Sequence, residues 1–207
     1  MGAQSFIYRH LFIYRIIMNL LYTGSYRERF NQVIKQIADL PTNSSILELC
    51  FGDIYIAEYC KRRGHAWKGI DLNKHFVKQA KKLGYDAHHD DLVRLEKLPK
   101  ASACIMMGSL YHFYPHTFSM LNKMANASDT IIISEPVSNL SSRKGLLGYV
   151  AKRAASVGKR QETFRYDTNS LMALVTESCD LLNYKIVLAE RLGKDFIIKL
   201  IKKNGSN

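Results

Sequence analysis

Residues 46–64, ILELCFGDIYIAEYCKRRG, constrain the chain more than any other stretch. A short apolar run ends in Glu48. A tight segment with Gly52 and Asp53 follows. A helical pattern then runs until Lys61, Arg62, Arg63 and Gly64 stop it. Shortly afterwards a second apolar run closes on another acid, Gly69-Ile70-Asp71. Strand, turn, helix and strand in this order make a βαβ unit. The acids and the glycine fall at the carboxyl ends of its strands, where such units hold nucleoside-containing ligands.

The 207 residues suffice for one α/β domain with a full core. A formal net charge of +12 favours anionic partners: nucleic acid, anionic lipid or a phosphorylated molecule. Much of the excess lies in residues 137–168, where Arg143, Lys144, Lys152, Arg153, Lys159, Arg160 and Arg165 face only Glu162 and Asp167. This segment reads either as a solvated basic loop or as a site for an anionic partner. The four cysteines, at 50, 60, 104 and 179, form no C-x-x-C pair. That argues against structural zinc and a disulfide framework, and for a reducing cytoplasm.

Phe6 to Tyr22 is apolar and aromatic but interrupted by Arg9, His10, Arg15 and Asn19. It suits neither a spanning helix nor a signal peptide. The reading is a helix packed on the domain. The second reading is peripheral membrane contact through residues 5–22, with arginines at the headgroups. A further helix is expected over Tyr26 to Leu40, stopped by Pro41, so residues 1–42 form an N-terminal helical cap. Residues 43–207 form the core, with the basic insertion at 137–168.

Within the core, strands are expected at Ile46–Leu49, Trp67–Ile70, Tyr85–His88, Cys104–Met107 and Thr130–Ser134. Helices are expected at Ile54–Arg63, Lys74–Leu83 and Thr117–Ala127. Leu146–Ala155 has helical character inside the insertion. A helix over Asn169–Asp180, capped by Thr168 or Asn169, precedes a hairpin of Tyr184–Arg191 and Phe196–Lys202 turning at Gly193-Lys194.

Over about residues 43–202 this order resembles the class I S-adenosylmethionine-dependent methyltransferases. Glu48 to Asp53 is similar to the family's first, glycine-rich motif, with Cys50 and Ile54 where two of its glycines stand and only Gly52 kept. Asp71 matches the acid ending the second strand. Asp90-Asp91-Leu92 matches the acidic turn after the third, Gly108 to Phe113 the segment after the fourth, and Glu135-Pro136 the end of the fifth. The resemblance implies a Rossmann-like, seven-stranded mixed sheet of order 3-2-1-4-5-7-6, with strand 7 antiparallel and helices on both faces. It implies S-adenosyl-L-methionine as cofactor and S-adenosyl-L-homocysteine as product.

By that resemblance Glu48, Cys50, Gly52, Asp71, Leu72, Asp91, Leu92 and Gly108 bind the cofactor. Gly52 lets the backbone approach without a Cβ in the way. Cys50 would do so only with a negative φ. Glu48 would orient the turn and the cofactor's ammonium. Asp71 can accept both ribose hydroxyls. Leu72 would pack on adenine, with Asp91 and the Leu92 N–H on its polar edge. His112 is the candidate base, and Tyr111 the candidate wall of the acceptor pocket. Glu135 would either bind the acceptor or cap the next segment.

A nicotinamide dinucleotide is disfavoured, because its pyrophosphate requires a G-x-G-x-x-G turn and would meet Glu48 and Asp53. No metal is expected. His112 and His116 have ligand spacing, but Pro115 interrupts any helix between them. His88 and His89 are neighbours on a strand and point apart. The expected activity is methyl transfer to a small-molecule, lipid or glycan acceptor, on oxygen because a histidine base is present. A nucleic-acid partner is not expected, since Met107-Gly108-Ser109-Leu110 lacks the Asn-Pro-Pro-aromatic pattern used on base amines. Nucleic-acid methylation and non-catalytic cofactor binding are the alternatives.

Overall fold

Alternation along each strand divides the apolar side chains between two faces of one sheet. Ile46, Ile105, Ile132 and Ile197 enter one buried cluster; Leu47, Leu49, Cys104, Met106, Ile131, Ile133 and Ile198 enter the other. Burial on both faces is what a parallel sheet flanked by helices requires. The structure, a computed structural model, describes residues 11–22, 24–137 and 164–204. Its strands are β1 (Ser45–Leu49), β2 (Ala66–Asp71), β3 (Asp86–His89), β4 (Ala103–Met107), β5 (Thr130–Pro136), β6 (Tyr184–Leu192) and β7 (Asp195–Lys202). They form one sheet of order β3-β2-β1-β4-β5-β7-β6. Strands β1 to β5 pair in parallel, and β7 lies antiparallel between β5 and β6. This is the topology that the resemblance implies.

Among the described residues the helices are α1 (Leu11–Leu21), α2 (Tyr26–Lys35), α3 (Tyr55–Arg63), α4 (Lys74–Lys82), α5 (Thr117–Ala127) and α6 (Thr168–Leu182), with a 3-10 turn at Leu110–Phe113. Several boundaries have clear causes. Gly64 ends α3 in the left-handed conformation, with φ of 74°. α2 stops short of the expected Leu40: beyond Lys35 the chain tightens into three-residue bonds, Ile37 N–H to Ile34 O and Leu40 N–H to Ile37 O. The cap of α6 is Asp167, not Thr168 or Asn169. Its carboxylate accepts from Ser170 N–H while the Ser170 hydroxyl takes the Asp167 N–H, a reciprocal pair that fixes the first turn. α5 spans the expected residues, and Pro115 separates it from the 3-10 turn. Residues 5–10, the expected helix at Leu146–Ala155 and the rest of the insertion from 138 to 163 lie outside the described residues.

α1 and α2 share the core of the sheet. Tyr22, Tyr26, Phe30, Val33 and Ile37 are buried in the same cluster as Ile46, Ile56 and Trp67. Arg15, offered above to lipid headgroups, instead forks onto Asp53, with Nη2–Oδ1 2.7 Å and Nε–Oδ2 3.0 Å, and lies over the Tyr55 ring. For the described part of this helix, packing on the domain is therefore the arrangement found. Among the described residues no helix is long and apolar enough to cross a membrane.

Candidate active site

The strand order reverses between β1 and β4. Beyond the carboxyl ends of these strands, where α/β sheets take their ligands, lies a cavity of about 420 Å³. That volume suits a nucleoside-sized ligand. Cys50, Phe51 and Gly52 line it after β1, Asp71, Leu72 and Asn73 after β2, Asp90, Asp91 and Leu92 after β3, and Gly108, Ser109, Tyr111 and His112 after β4. Tyr14 of α1, Tyr22 just after it, and Tyr26 and Arg29 of α2 close it on one side, and Arg165 from the segment before α6. Of the ten residues expected to bind cofactor or acceptor, nine line this one cavity.

The exception is Glu48. It is fully buried behind the turn, where its Oε2 accepts from Trp67 Nε1 at 2.8 Å. Burial pushes its carboxyl well above the usual range, against the pull of the Trp67 hydrogen bond and with Asp53 and Asp71 adding to the rise. β-strand alternation explains the placement: Glu48 follows Ile46 onto the face covered by Trp67.

Asp53 is also turned from the cavity's ligand side. It is fully buried, held by Arg15, approached by the Tyr26 hydroxyl, and its Oδ1 accepts the Ile54 N–H at 2.7 Å. This carboxylate occupies the N-terminus of α3, the place a pyrophosphate would take. A pyrophosphate there would meet the buried Asp53 carboxylate, and the turn has a single glycine to receive it.

Cys50 corrects a second expectation. Its φ is +54°, so it occupies the left-handed conformation of the glycine it replaces. Its thiol, pushed far up by burial and by Asp71, stays protonated. Gly52 also has positive φ, +57°, and its N–H donates to Asp71 Oδ2 at 3.1 Å. Asp71 Oδ1 accepts from Asn73 N–H at 2.6 Å. Burial raises Asp71 to about 6, against the pull of these two N–H groups. Each oxygen retains a second lone pair, so the carboxylate can still accept a diol.

The 3-10 turn carrying Tyr111 and His112 is braced from behind. Glu135 is fully buried, and its Oε2 accepts the Leu110 N–H at 3.0 Å. It does not line the cavity. Burial lifts it to about 8, so it carries a proton at neutral pH. Bracing the turn at Leu110 is neither of the two expected roles, and the segment after Pro136 lies mostly outside the described residues. The Tyr111 ring lies beside that of His112, with centroids 4.0 Å apart, and beneath the Arg165 guanidinium at 3.5 Å.

Arg29 went unread in the sequence. Its helix pattern marks Phe30, Val33 and Ile34 as the inward face, and Arg29 beside them looks like a surface residue. In the fold its side chain is only 9% exposed and pairs with buried Asp195 at 2.7 Å. No local signal links two residues so far apart in the chain.

No protein-family model matches the sequence, and no curated protein matches it. Solved structures do. The methyltransferase domain of bacterial CtHen1-C has a TM-score of 0.65 at 12% identity, over 85% of this chain and 97% of its own. Magnesium protoporphyrin IX methyltransferase (ChlM) from Synechocystis PCC 6803, with bound S-adenosylhomocysteine, has a TM-score of 0.61 at 14% identity, over 98% and 90%. The 16S rRNA methyltransferase RmtF, in complex with S-adenosyl-L-homocysteine, has a TM-score of 0.54 at 10% identity, over 87% and 65%. The chain has the Rossmann-like fold of the class I S-adenosylmethionine-dependent methyltransferases. Since an rRNA enzyme shares that fold, the fold gives no ground for setting nucleic acid aside as a partner.

The residues present fit such a cofactor. Gly52 removes the Cβ from the wall after β1, Asp71 offers acceptors for a diol, and Leu72, half exposed at the cavity, offers an apolar surface for a base.

Proposed function

We propose that the chain is an S-adenosyl-L-methionine-dependent methyltransferase whose acceptor is a small molecule, lipid or glycan, methylated on oxygen. One observation carries the reading. A single cavity brings nucleoside-binding groups (Asp71, Gly52, Asp91, Leu92) together with a candidate base and an aromatic wall (His112, Tyr111). The cofactor, when bound, supplies a methyl group already activated on a sulfonium and leaves as S-adenosyl-L-homocysteine. The chain's residues then have two tasks, alignment and proton removal. Asp71 fixes the ribose. Tyr111 aligns the acceptor, and Arg165 gives that side of the cavity a cation suited to a carboxylate or phosphate. His112 takes the acceptor's hydroxyl proton as the C–O bond forms.

The test is methyl-labelled cofactor with cell extract separated into small-molecule, lipid, glycan and nucleic-acid fractions. Label is expected outside the nucleic-acid fraction. His112→Asn should lower kcat by ~10²- to 10⁴-fold, the usual range for a lost general base. Affinity for S-adenosyl-L-homocysteine should stay within about threefold, since the base contributes to chemistry rather than cofactor binding. The second reading, nucleic-acid methylation, is favoured by the +12 charge and the fold shared with RmtF. Label in RNA, with salt-dependent RNA affinity, would replace the first reading; no RNA binding at low salt would remove the second. Cofactor binding without label in any fraction would leave a binding protein.

A further inference from the structure

The two helical layers carry unequal charge. The apolar sides of α3 and α4 enter one buried cluster, and those of α5 and α6 enter the other, so the pairs lie on opposite faces of the sheet. α5 and α6 carry Lys123 against Glu177 and Asp180. α3 and α4 carry Lys61, Arg62, Arg63, Lys74, Lys78, Lys81 and Lys82 against Glu58 alone. Glu58 itself lies 3.9 Å from Arg15. All seven cations are exposed, and none lines the cavity. Among the described residues none of the seven forms an ion pair with a carboxylate.

Helical spacing gathers the cations of α4. At about 3.6 residues per turn, Lys74, Lys78, Lys81 and Lys82 fall within roughly 100° of one another. Phe76, Val77 and Ala80 turn into the core. Cations in a last turn complement the helix dipole, which accounts for Lys61, Arg62, Arg63, Lys81 and Lys82. It does not account for Lys78 in mid-helix. It opposes Lys74, the first residue of α4, where the dipole disfavours a cation. A helix lying on a bilayer turns an apolar face outward. The apolar face of α4 is used in the core, and of the exposed large hydrophobics only Leu83 adjoins this surface, just past the end of α4. Grouped cations without apolar anchors suit a polyanion in water, read through its phosphates.

We propose that the outer face of α3 and α4 docks nucleic acid through its phosphate backbone. The inference does not rest on the cofactor or the acceptor: the nucleic acid is held outside the cavity, whichever molecule is methylated inside it.

Fluorescence anisotropy of the full chain with a labelled single-stranded RNA, over a potassium chloride series, tests it. Lys74→Gln, Lys78→Gln, Lys81→Gln and Lys82→Gln combined should weaken binding at low salt at least about tenfold. They should also flatten the log–log salt slope by about 2 to 3, from four phosphate contacts at ~0.7 each. An equal loss of charge in the insertion, Lys144→Gln, Lys152→Gln, Arg153→Gln and Lys159→Gln, should weaken binding less. Lys74→Glu alone should weaken binding yet raise the urea unfolding midpoint, because it gives the start of α4 the charge its dipole favours. This separates docking from a purely structural role, and it keeps the proposal testable if the fourfold variant fails to fold. No RNA binding at low salt overturns the proposal. So does an equal loss in the α4 and insertion variants, which would make net charge the cause. Tighter binding to phosphatidylserine vesicles than to RNA, lost in the α4 variant, overturns it in favour of a membrane.

Discussion

Cys50 occupies the left-handed region with a side chain that disfavours it, and this strain stands at the wall of the cavity. Left-handed φ costs an ordinary residue roughly 1–2 kcal/mol, and glycine returns part of that by its greater freedom when unfolded. Cys50→Gly should therefore stabilise the fold by about 0.5–1 kcal/mol in urea unfolding, without weakening cofactor affinity; a net loss of stability would show that the thiol's packing outweighs the strain. Asp71 carries the sharper forecast. With its folded pKa raised to about 6, it is half protonated there and fully ionised only above. The unliganded fold is favoured by this proton below the ordinary aspartate range and loses that contribution as pH rises through about 6. With Asp71 in its proposed place at the ribose, cofactor binding runs the other way, because a diol calls for the ionised form. Affinity should fall about tenfold from pH 7 to pH 5, and Asp71→Asn should abolish that slope while weakening binding by roughly 10- to 100-fold. At this scale the sequence shows strand-end positions well. It shows orientation poorly: Asp71 and Glu48 both sit near strand ends, yet pleat alternation and Trp67 take Glu48 out of the cavity.

α1 is held to the turn after β1 by one partly buried fork. Asp53 is fully buried and Arg15 is 31% exposed, so the pair is partly screened. Arg15→Met should cost about 2 kcal/mol, less than the 3–5 kcal/mol of a wholly buried pair broken on one side. Urea unfolding measures it, and an unchanged midpoint would mean that Tyr26 and the Ile54 N–H satisfy Asp53 alone. Most elements were legible, because apolar periodicity dominates them: α5 and the closing hairpin came from pattern alone. The rest depended on contacts distant in sequence. β5 runs on to Pro136 because β7 pairs with it as far as Asp195. α6 begins one residue early because Asp167 and Ser170 cap each other. The role of Arg15 depended on a partner 38 residues away.

Across the whole molecule, β1 to β5 act as a row of mounts, and α1 and α2 act as the wall opposite. Asp71, Gly52, Gly108 and Arg29 come from separate elements and meet only because the strand order reverses between β1 and β4. The fold is shared by ChlM and RmtF, whose names give a porphyrin and an rRNA as substrates, so the sheet alone does not specify an acceptor. The cofactor is the central claim, and titration calorimetry of the full chain with S-adenosyl-L-methionine and with S-adenosyl-L-homocysteine tests it most directly. Saturable binding of both at a single site, weakened by Asp71→Asn, is the expected result. Heats no greater than dilution for both ligands at neutral pH would contradict it.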